Sequence, residues 1–126
     1  MNKKIIKTSN APDPIGPYSQ AVKAAGMLFI SGQVAIKPGT SELIVDNIQK
    51  ETEQVMHNLK AILNEAGLGF EHVVKTTIFL KDMSLFLSVN EVYGRFFDSD
   101  FPARETVAVK GLPKDVNVEI SMIAAE

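Results

Sequence analysis

The sequence contains no cysteine and only two histidines, His57 and His72, among its 126 residues. The absence of cysteine excludes disulfide bonds, thiolate metal sites and cysteine nucleophiles. Neither histidine has a partner at a metal-ligand spacing, so we expect no metal site. The chain also lacks a glycine-rich phosphate loop and a serine accompanied by a suitable histidine and acid. Any chemistry must therefore use arginine, a carboxylate, hydroxyls, backbone groups and water.

Charge and hydropathy argue against two classes of partner. Lysine and arginine total 13 against 15 acidic residues, and the net charge of −2 gives no electrostatic basis for binding nucleic acid or an anionic membrane. The most apolar run, 27–36, is interrupted by Ser31, Gly32 and Gln33. That run is too short to span a bilayer, and no signal peptide is recognisable. We therefore expect one soluble cytoplasmic domain over residues 1–126.

The apolar pattern predicts an α+β fold with a mixed sheet and two helices on one face. Strands are expected at 3–8, 18–24, 27–36, 73–80, 101–109 and 116–124. A spacing of 3.6 residues predicts a helix capped by Asp46 at its start and by Gly67, in the left-handed conformation, at its end. A second helix is expected from a cap at Asp82 or Ser84 to about Phe97.

Several predicted strands are apolar on both faces, although two helices can cover only one face. In the strand 27–36, Leu28 and Ile30 alternate with Met27 and Phe29. An exposed apolar face needs a partner, and in so short a chain the simplest partner is another copy of the same chain. The pattern therefore predicts a homo-oligomer.

Arg104 is the first candidate for a functional side chain. It follows Pro102 at the start of the strand 101–109, and alternation places it on the same face as Thr106. A guanidinium is costly to bury unless an anionic group meets it. Arg104 is therefore expected to bind an anion.

Glu119 is the second candidate, because acidic residues are disfavoured in the middle of a strand. It either faces solvent or shares a pocket with Arg104, as an ion pair or as a base that holds water. Ser31 and Gly32 either form a β-bulge or offer a hydroxyl and an N–H group to a small polar ligand. Tyr18 is either a packed aromatic residue or a pocket wall. The sequence leaves these alternatives open.

Five motifs, which span nearly the whole chain in order, closely resemble the RidA (YjgF) family. They are Ile15-Gly16-Pro17-Tyr18-Ser19-Gln20-Ala21, Phe29-Ile30-Ser31-Gly32-Gln33, Val89-Asn90-Glu91-Val92-Tyr93, Phe101-Pro102-Ala103-Arg104 and Leu112-Pro113-Lys114-Asp115-Val116. The resemblance implies a chorismate-mutase-like fold and a homotrimer with clefts between its subunits. It agrees with the uncovered sheet face predicted above.

The resemblance also implies an imine deaminase that needs no cofactor. Water would hydrolyse 2-iminobutanoate or 2-iminopropanoate, which pyridoxal-phosphate dehydratases release, to a 2-oxo acid and ammonia. Arg104 would bind the substrate carboxylate and Glu119 would hold the attacking water. The expected pocket-lining residues are Tyr18, Ser31, Gly32, Phe86, Asn90 and Thr106, the last in place of a cysteine found in many members.

Two other functions compete with catalysis. A regulatory module could hold a small 2-oxo acid in the same cleft without turnover, although a binder of anions gains nothing from the charge of Glu119. An RNA-directed inhibitor of translation is the other alternative. The acidic balance and the lack of a basic, aromatic surface count against it.

Overall fold

The computed structural model describes residues 2–126 and contains a six-stranded mixed sheet with two helices on one face. The strands lie in the order β1-β2-β3-β6-β4-β5. Neighbours run antiparallel except β4 and β5, which are parallel. The predicted fold class is therefore confirmed. The elements are β1 (Lys4–Ile6), β2 (Ala21–Ala24), β3 (Met27–Gln33), α1 (Ile48–Glu65), β4 (Val73–Leu80), α2 (Phe86–Gly94), β5 (Ala103–Ala108) and β6 (Val118–Ala125).

Helix α1 is the longer of the two helices that cover one face of the sheet. Its apolar residues recur every three or four positions, so they form a stripe that packs against β3 and β6. Five of them are completely buried, and each such side chain contributes about 1.5–3 kcal/mol through burial. They are Val55, Met56, Leu59, Ile62 and Leu63.

The cap of α1 differs from the prediction by one residue. Asn47, not Asp46, has the extended backbone of an N-cap, and its side-chain oxygen accepts a hydrogen bond from the Lys50 N–H at 2.8 Å. At the other end, Gly67 has a φ of +77° and the Leu68 N–H donates to the Leu63 carbonyl. The predicted left-handed C-cap is confirmed.

Helix α2 is shorter than predicted. Asp82 caps a short 3-10 turn by accepting from the Ser84 N–H, and the α-helix ends at Gly94, not at Phe97. Beyond Gly94 the N–H groups bond three residues back, as from Phe96 to the Tyr93 carbonyl. The chain tightens into 3-10 turns, which keep Phe96 and Phe97 packed against the core.

The predicted strand 73–80 is confirmed at both ends, whereas the others are shorter or shifted. The strand predicted at 27–36 ends at Gln33, because a bulge between Ile30 and Gln33 interrupts its pairing with β6. The last strand begins at Val118, not at 116, because the turn Pro113–Asp115 precedes it. The other three strands, predicted at 3–8, 18–24 and 101–109, lose one to three residues at their ends.

The opposite face of the sheet, called the open face below, has no helix over it. Its apolar residues include Met27, Phe29, Phe79, Val107 and Ile123. Phe29 is 46% exposed, whereas its neighbours Leu28 and Ile30 are buried under the helices. The prediction of strands that are apolar on both faces is confirmed. Within residues 2–126, neither helix is long and apolar enough to cross a membrane.

Candidate functional site

A cavity of about 360 Å³ lies beside β3 and β6, on the side of the sheet away from the helices. Four predicted site residues line it, and they are called the carboxylate cluster below: Tyr18, Ser31, Gly32 and Glu119. Most of the remaining lining residues are apolar, and they include Ile15, Val34, Ile36 and Pro113. The structure therefore brings together predicted site residues from three separate parts of the sequence.

The Glu119 side chain crosses the backbone of Gly32. A Cβ built on Gly32 would press against Glu119 Oε1 and would lie 2.8 Å from Cδ and 3.0 Å from Cγ. Carbon atoms in ordinary contact are about 3.5–4.0 Å apart. Gly32 is therefore needed for the close approach of this carboxylate, and the bulge that was one alternative for Ser31 and Gly32 is present.

Burial raises the pKa of the Glu119 carboxyl above its ordinary value. Its carboxylate makes no hydrogen bond or salt bridge to any other described residue. An unpaired carboxylate of raised pKa is a stronger base than an exposed one, and it retains the capacity to accept a proton or to hold a water molecule.

Glu51 of α1 fixes the start of the strand that carries Glu119. It is completely buried, and its carboxylate accepts from the Asn117 N–H and side-chain amide and from the Val118 N–H, at 2.7–3.3 Å. Sequence reasoning missed Glu51 because its partners lie 66 and 67 residues away. It also missed Gln20, whose buried amide fastens the proline-rich loop to one side of the cavity.

Arg104 lies at the edge of the sheet on the side covered by α2. Its guanidinium carbon is 5.2 Å from the ring centre of Tyr93 and 5.7 Å from that of Phe86. The Tyr93 hydroxyl is itself hydrogen-bonded to the Thr76 hydroxyl at 2.9 Å, which fixes the ring. Among the residues described, no acid forms a salt bridge with Arg104. The two aromatic faces hold the cation and leave its N–H groups available.

Asn90 and Thr106 accompany Arg104, and with Phe86 these residues are called the arginine cluster below. Asn90 and Arg104 line a second cavity of about 270 Å³. Asn90 Oδ1 and Thr106 Oγ1 are buried and have no hydrogen-bond partner in the described chain. Buried polar atoms are normally paired, so these two are consistent with a polar partner that a single chain does not supply.

The two clusters lie on opposite faces of the sheet. Arg104 is in register with Thr76, which is buried under the helices, whereas Glu119 is in register with Phe79 on the open face. One chain therefore does not bring Arg104 and Glu119 into a common pocket, and they form no ion pair. The shared pocket considered from the sequence is not present within a single chain. No group of three metal-binding side chains occurs in residues 2–126.

A family model described as Endoribonuclease L-PSP matches residues 8–126. The chain belongs to this family. A RutC family protein of Pyrococcus horikoshii is 52% identical over 122 residues, with 97% of each chain covered. Reactive Intermediate Deaminase A of Arabidopsis thaliana, a chloroplast protein, is 40% identical over 98% of this chain and 66% of its own length. The resemblance to the RidA family is confirmed.

The fold is also similar to a solved structure, that of Escherichia coli TdcF with bound serine. It is 42% identical to this chain, covers 98% of both chains and superposes with a TM-score of 0.93. Because nearly the whole of both chains superposes, the structural agreement extends over the sheet and both helices. The α+β architecture is therefore that of the family.

Proposed function

We propose that the protein is an imine deaminase whose site forms between two copies of the chain. Its substrates would be small 2-imino acids such as 2-iminobutanoate and 2-iminopropanoate. The name of the Arabidopsis relative, a reactive intermediate deaminase, supports this class of reaction. The serine bound to TdcF supports a ligand that carries a carboxylate and a nitrogen on the adjacent carbon.

The observation that carries the proposal is the complementarity of the two clusters. One chain offers an unpaired guanidinium on one face and an unpaired carboxylate of raised pKa on the other. A small 2-imino acid needs both: a cation for its carboxylate and a base near its electrophilic carbon. Since the groups point in opposite directions within one chain, a neighbouring copy must supply the second group.

The open face gives a reason for copies to assemble. Phe29 and Val107 are 46% and 44% exposed on a face that no helix covers. Burial of such side chains against another copy contributes about 1.5–3 kcal/mol each. We propose a homotrimer, which would place the arginine cluster of one chain at the carboxylate cluster of the next in three equivalent clefts.

Arg104 would fix the substrate by its carboxylate. A guanidinium donates two parallel hydrogen bonds to a carboxylate, so it sets both the distance and the orientation of the substrate. The rings of Phe86 and Tyr93 hold the guanidinium without consuming these bonds. Lysine, with a single ammonium group, could not reproduce this geometry.

Glu119 would act on the water molecule that attacks the substrate. The water oxygen bonds to C2 of the protonated imine while the Glu119 carboxylate takes one water proton, which gives a carbinolamine. That proton is returned to the amino nitrogen, the C–N bond breaks, and the 2-oxo acid and an ammonium ion leave once the hydroxyl proton has passed to the departing nitrogen. The protonated imine is already a strong electrophile, so positioning and one modest base suffice.

A non-catalytic binder of 2-oxo acids is the alternative. It would use Arg104 in the same way, but Glu119 would then place a second negative charge in a site for anions. The family description names an endoribonuclease, yet the net charge of −2 gives little attraction for RNA. The pairing of one cation with one base favours deamination.

The decisive assay generates 2-iminobutanoate with a threonine dehydratase and follows its loss. We expect the wild-type protein to accelerate this loss, and Arg104→Ala and Glu119→Gln to abolish the acceleration without loss of assembly. Arg95→Ala is the matched control, because Arg95 is exposed immediately after α2 and pairs only with Glu91 among the described residues. If the wild-type protein leaves imine decay unchanged, the binding module is the correct function.

A further inference from the structure

The hydroxyl of Ser31 can only accept a hydrogen bond from a ligand. Ser31 Oγ lies 2.6 Å from the backbone carbonyl oxygen of Ser19. A carbonyl oxygen has no proton to give, so the Ser31 hydroxyl must be the donor in this bond. The lone pairs of Ser31 Oγ remain, and they can accept from a group in the cavity.

The surrounding bonds hold the backbone of Ser31 beside that of Ser19 and Gln20. The Ser31 N–H donates to the Gln20 carbonyl at 2.9 Å, and the Gln33 side-chain amide donates to the Ser31 carbonyl at 3.2 Å. Gln20 is only 2% exposed, and its side chain bonds to Thr8 and Pro12 across the loop. Ser19 and Ser31 are therefore held in a fixed relation.

Two side chains of the cavity can accept hydrogen bonds from a ligand. Ser31 offers lone pairs, and ionised Glu119 offers an unpaired carboxylate. The Gln20 amide N–H groups are directed to the carbonyls of Thr8 and Pro12, so they are not free for a ligand. Tyr18, whose oxygen accepts from the Ile15 N–H, keeps one O–H donor. Such a lining suits a ligand group that carries N–H bonds.

We propose that Ser31 is a specificity-determining residue that accepts a hydrogen bond from the protonated nitrogen of the ligand. This inference rests on the proposed function for the class of ligand. It sets the orientation in the cleft: the nitrogen points to Ser31, and the carboxylate points to Arg104 of the neighbouring copy. The 2-oxo acid product has an acceptor oxygen in place of the nitrogen, so it loses this bond and is bound less tightly.

The test compares two stable ligands that share a carbon skeleton and differ only at C2. In 2-aminobutanoate this carbon carries an ammonium group, and in 2-oxobutanoate it carries a carbonyl oxygen. Binding of each is measured by titration calorimetry to the wild-type protein, Ser31→Ala, Ser31→Cys and the control Ser19→Ala. The thiol of Ser31→Cys can still donate to the Ser19 carbonyl but is a weak acceptor, whereas Ser19→Ala leaves that carbonyl in place.

We expect Ser31→Ala and Ser31→Cys to weaken 2-aminobutanoate about tenfold or more, as for loss of a bond to a charged donor. Binding of 2-oxobutanoate should change less than threefold, and Ser19→Ala should change neither. Equal weakening of both ligands, no weakening of either, or no binding of 2-aminobutanoate to the wild-type protein would overturn the role of Ser31. Discrimination at Ser31 without any imine hydrolysis would refute only the deaminase function.

Discussion

Replacement of Gly32 by alanine tests whether the position of Glu119 matters for catalysis. The added Cβ would lie 2.8 Å from Glu119 Cδ, where about 3.5 Å or more is normal, so the carboxyl group must move by about 0.7–1 Å. A misplacement of about 1 Å in a catalytic group costs on the order of 100-fold in rate. We therefore expect kcat/KM of Gly32→Ala to fall about 100-fold, with little change in thermal stability because a flexible side chain gives way.

The assay is the dehydratase-coupled loss of 2-iminobutanoate, with thermal unfolding measured in parallel. Gly111→Ala is the matched control, because a Cβ at Gly111 would meet nothing within 4 Å. A folded Gly32→Ala protein with the wild-type rate would refute the placement of the reactive carboxylate against Gly32.

Two further predictions concern assembly and pH. Phe29→Asp places a charge on the open face, so it should give smaller species in sedimentation velocity and no turnover. Leu87→Asp is the control, at a residue of α2 that is 78% exposed, and it should change neither assembly nor turnover. An assembled Phe29→Asp protein would contradict the proposed interface. Because burial raises the native pKa of Glu119, the unfolded chain loses this proton more readily than the folded chain once the pH exceeds the ordinary carboxyl pKa, and ionisation then opposes folding. Glu119→Gln should therefore raise the melting temperature at pH 7. This advantage should disappear as the pH falls below the ordinary carboxyl pKa. Thermal unfolding between pH 4 and pH 8 measures the difference, and a melting temperature lowered at pH 7 would show that Glu119 stabilises the fold.

The parts of the fold that depend on local pattern could be predicted from the sequence. The buried stripe of α1 and the strand 73–80 have strong periodicity, and the structure contains both. The choice between Asp46 and Asn47 as the cap could not be made, because both residue types cap helices and they are adjacent. The end of α2 was also missed, since the 3-10 turns after Gly94 keep the aromatic side chains on the face that a helix would give them.

The relation between Arg104 and Glu119 lay beyond the sequence for a different reason. Alternation assigns faces within a strand, but it does not say which face of one strand joins which face of another. That depends on register: Thr76 of β4 pairs with Arg104, whereas Phe79 pairs with Glu119. The difference of three positions along β4 puts the two groups on opposite sides. Glu51 was missed because only tertiary structure brings it to the start of β6.

The placement of Arg104 and Glu119 on opposite sides of the sheet has a consequence for mixed populations of chains. If neighbouring copies complete each cleft as proposed, a chain substituted at Arg104 still supplies an intact carboxylate to its neighbour. A chain substituted at Glu119 still supplies an intact guanidinium. Two inactive alleles expressed together would regain turnover through hybrid rings, whereas either allele alone would stay silent. At concentrations too low for assembly, by contrast, a chain would carry every necessary group and yet be inactive.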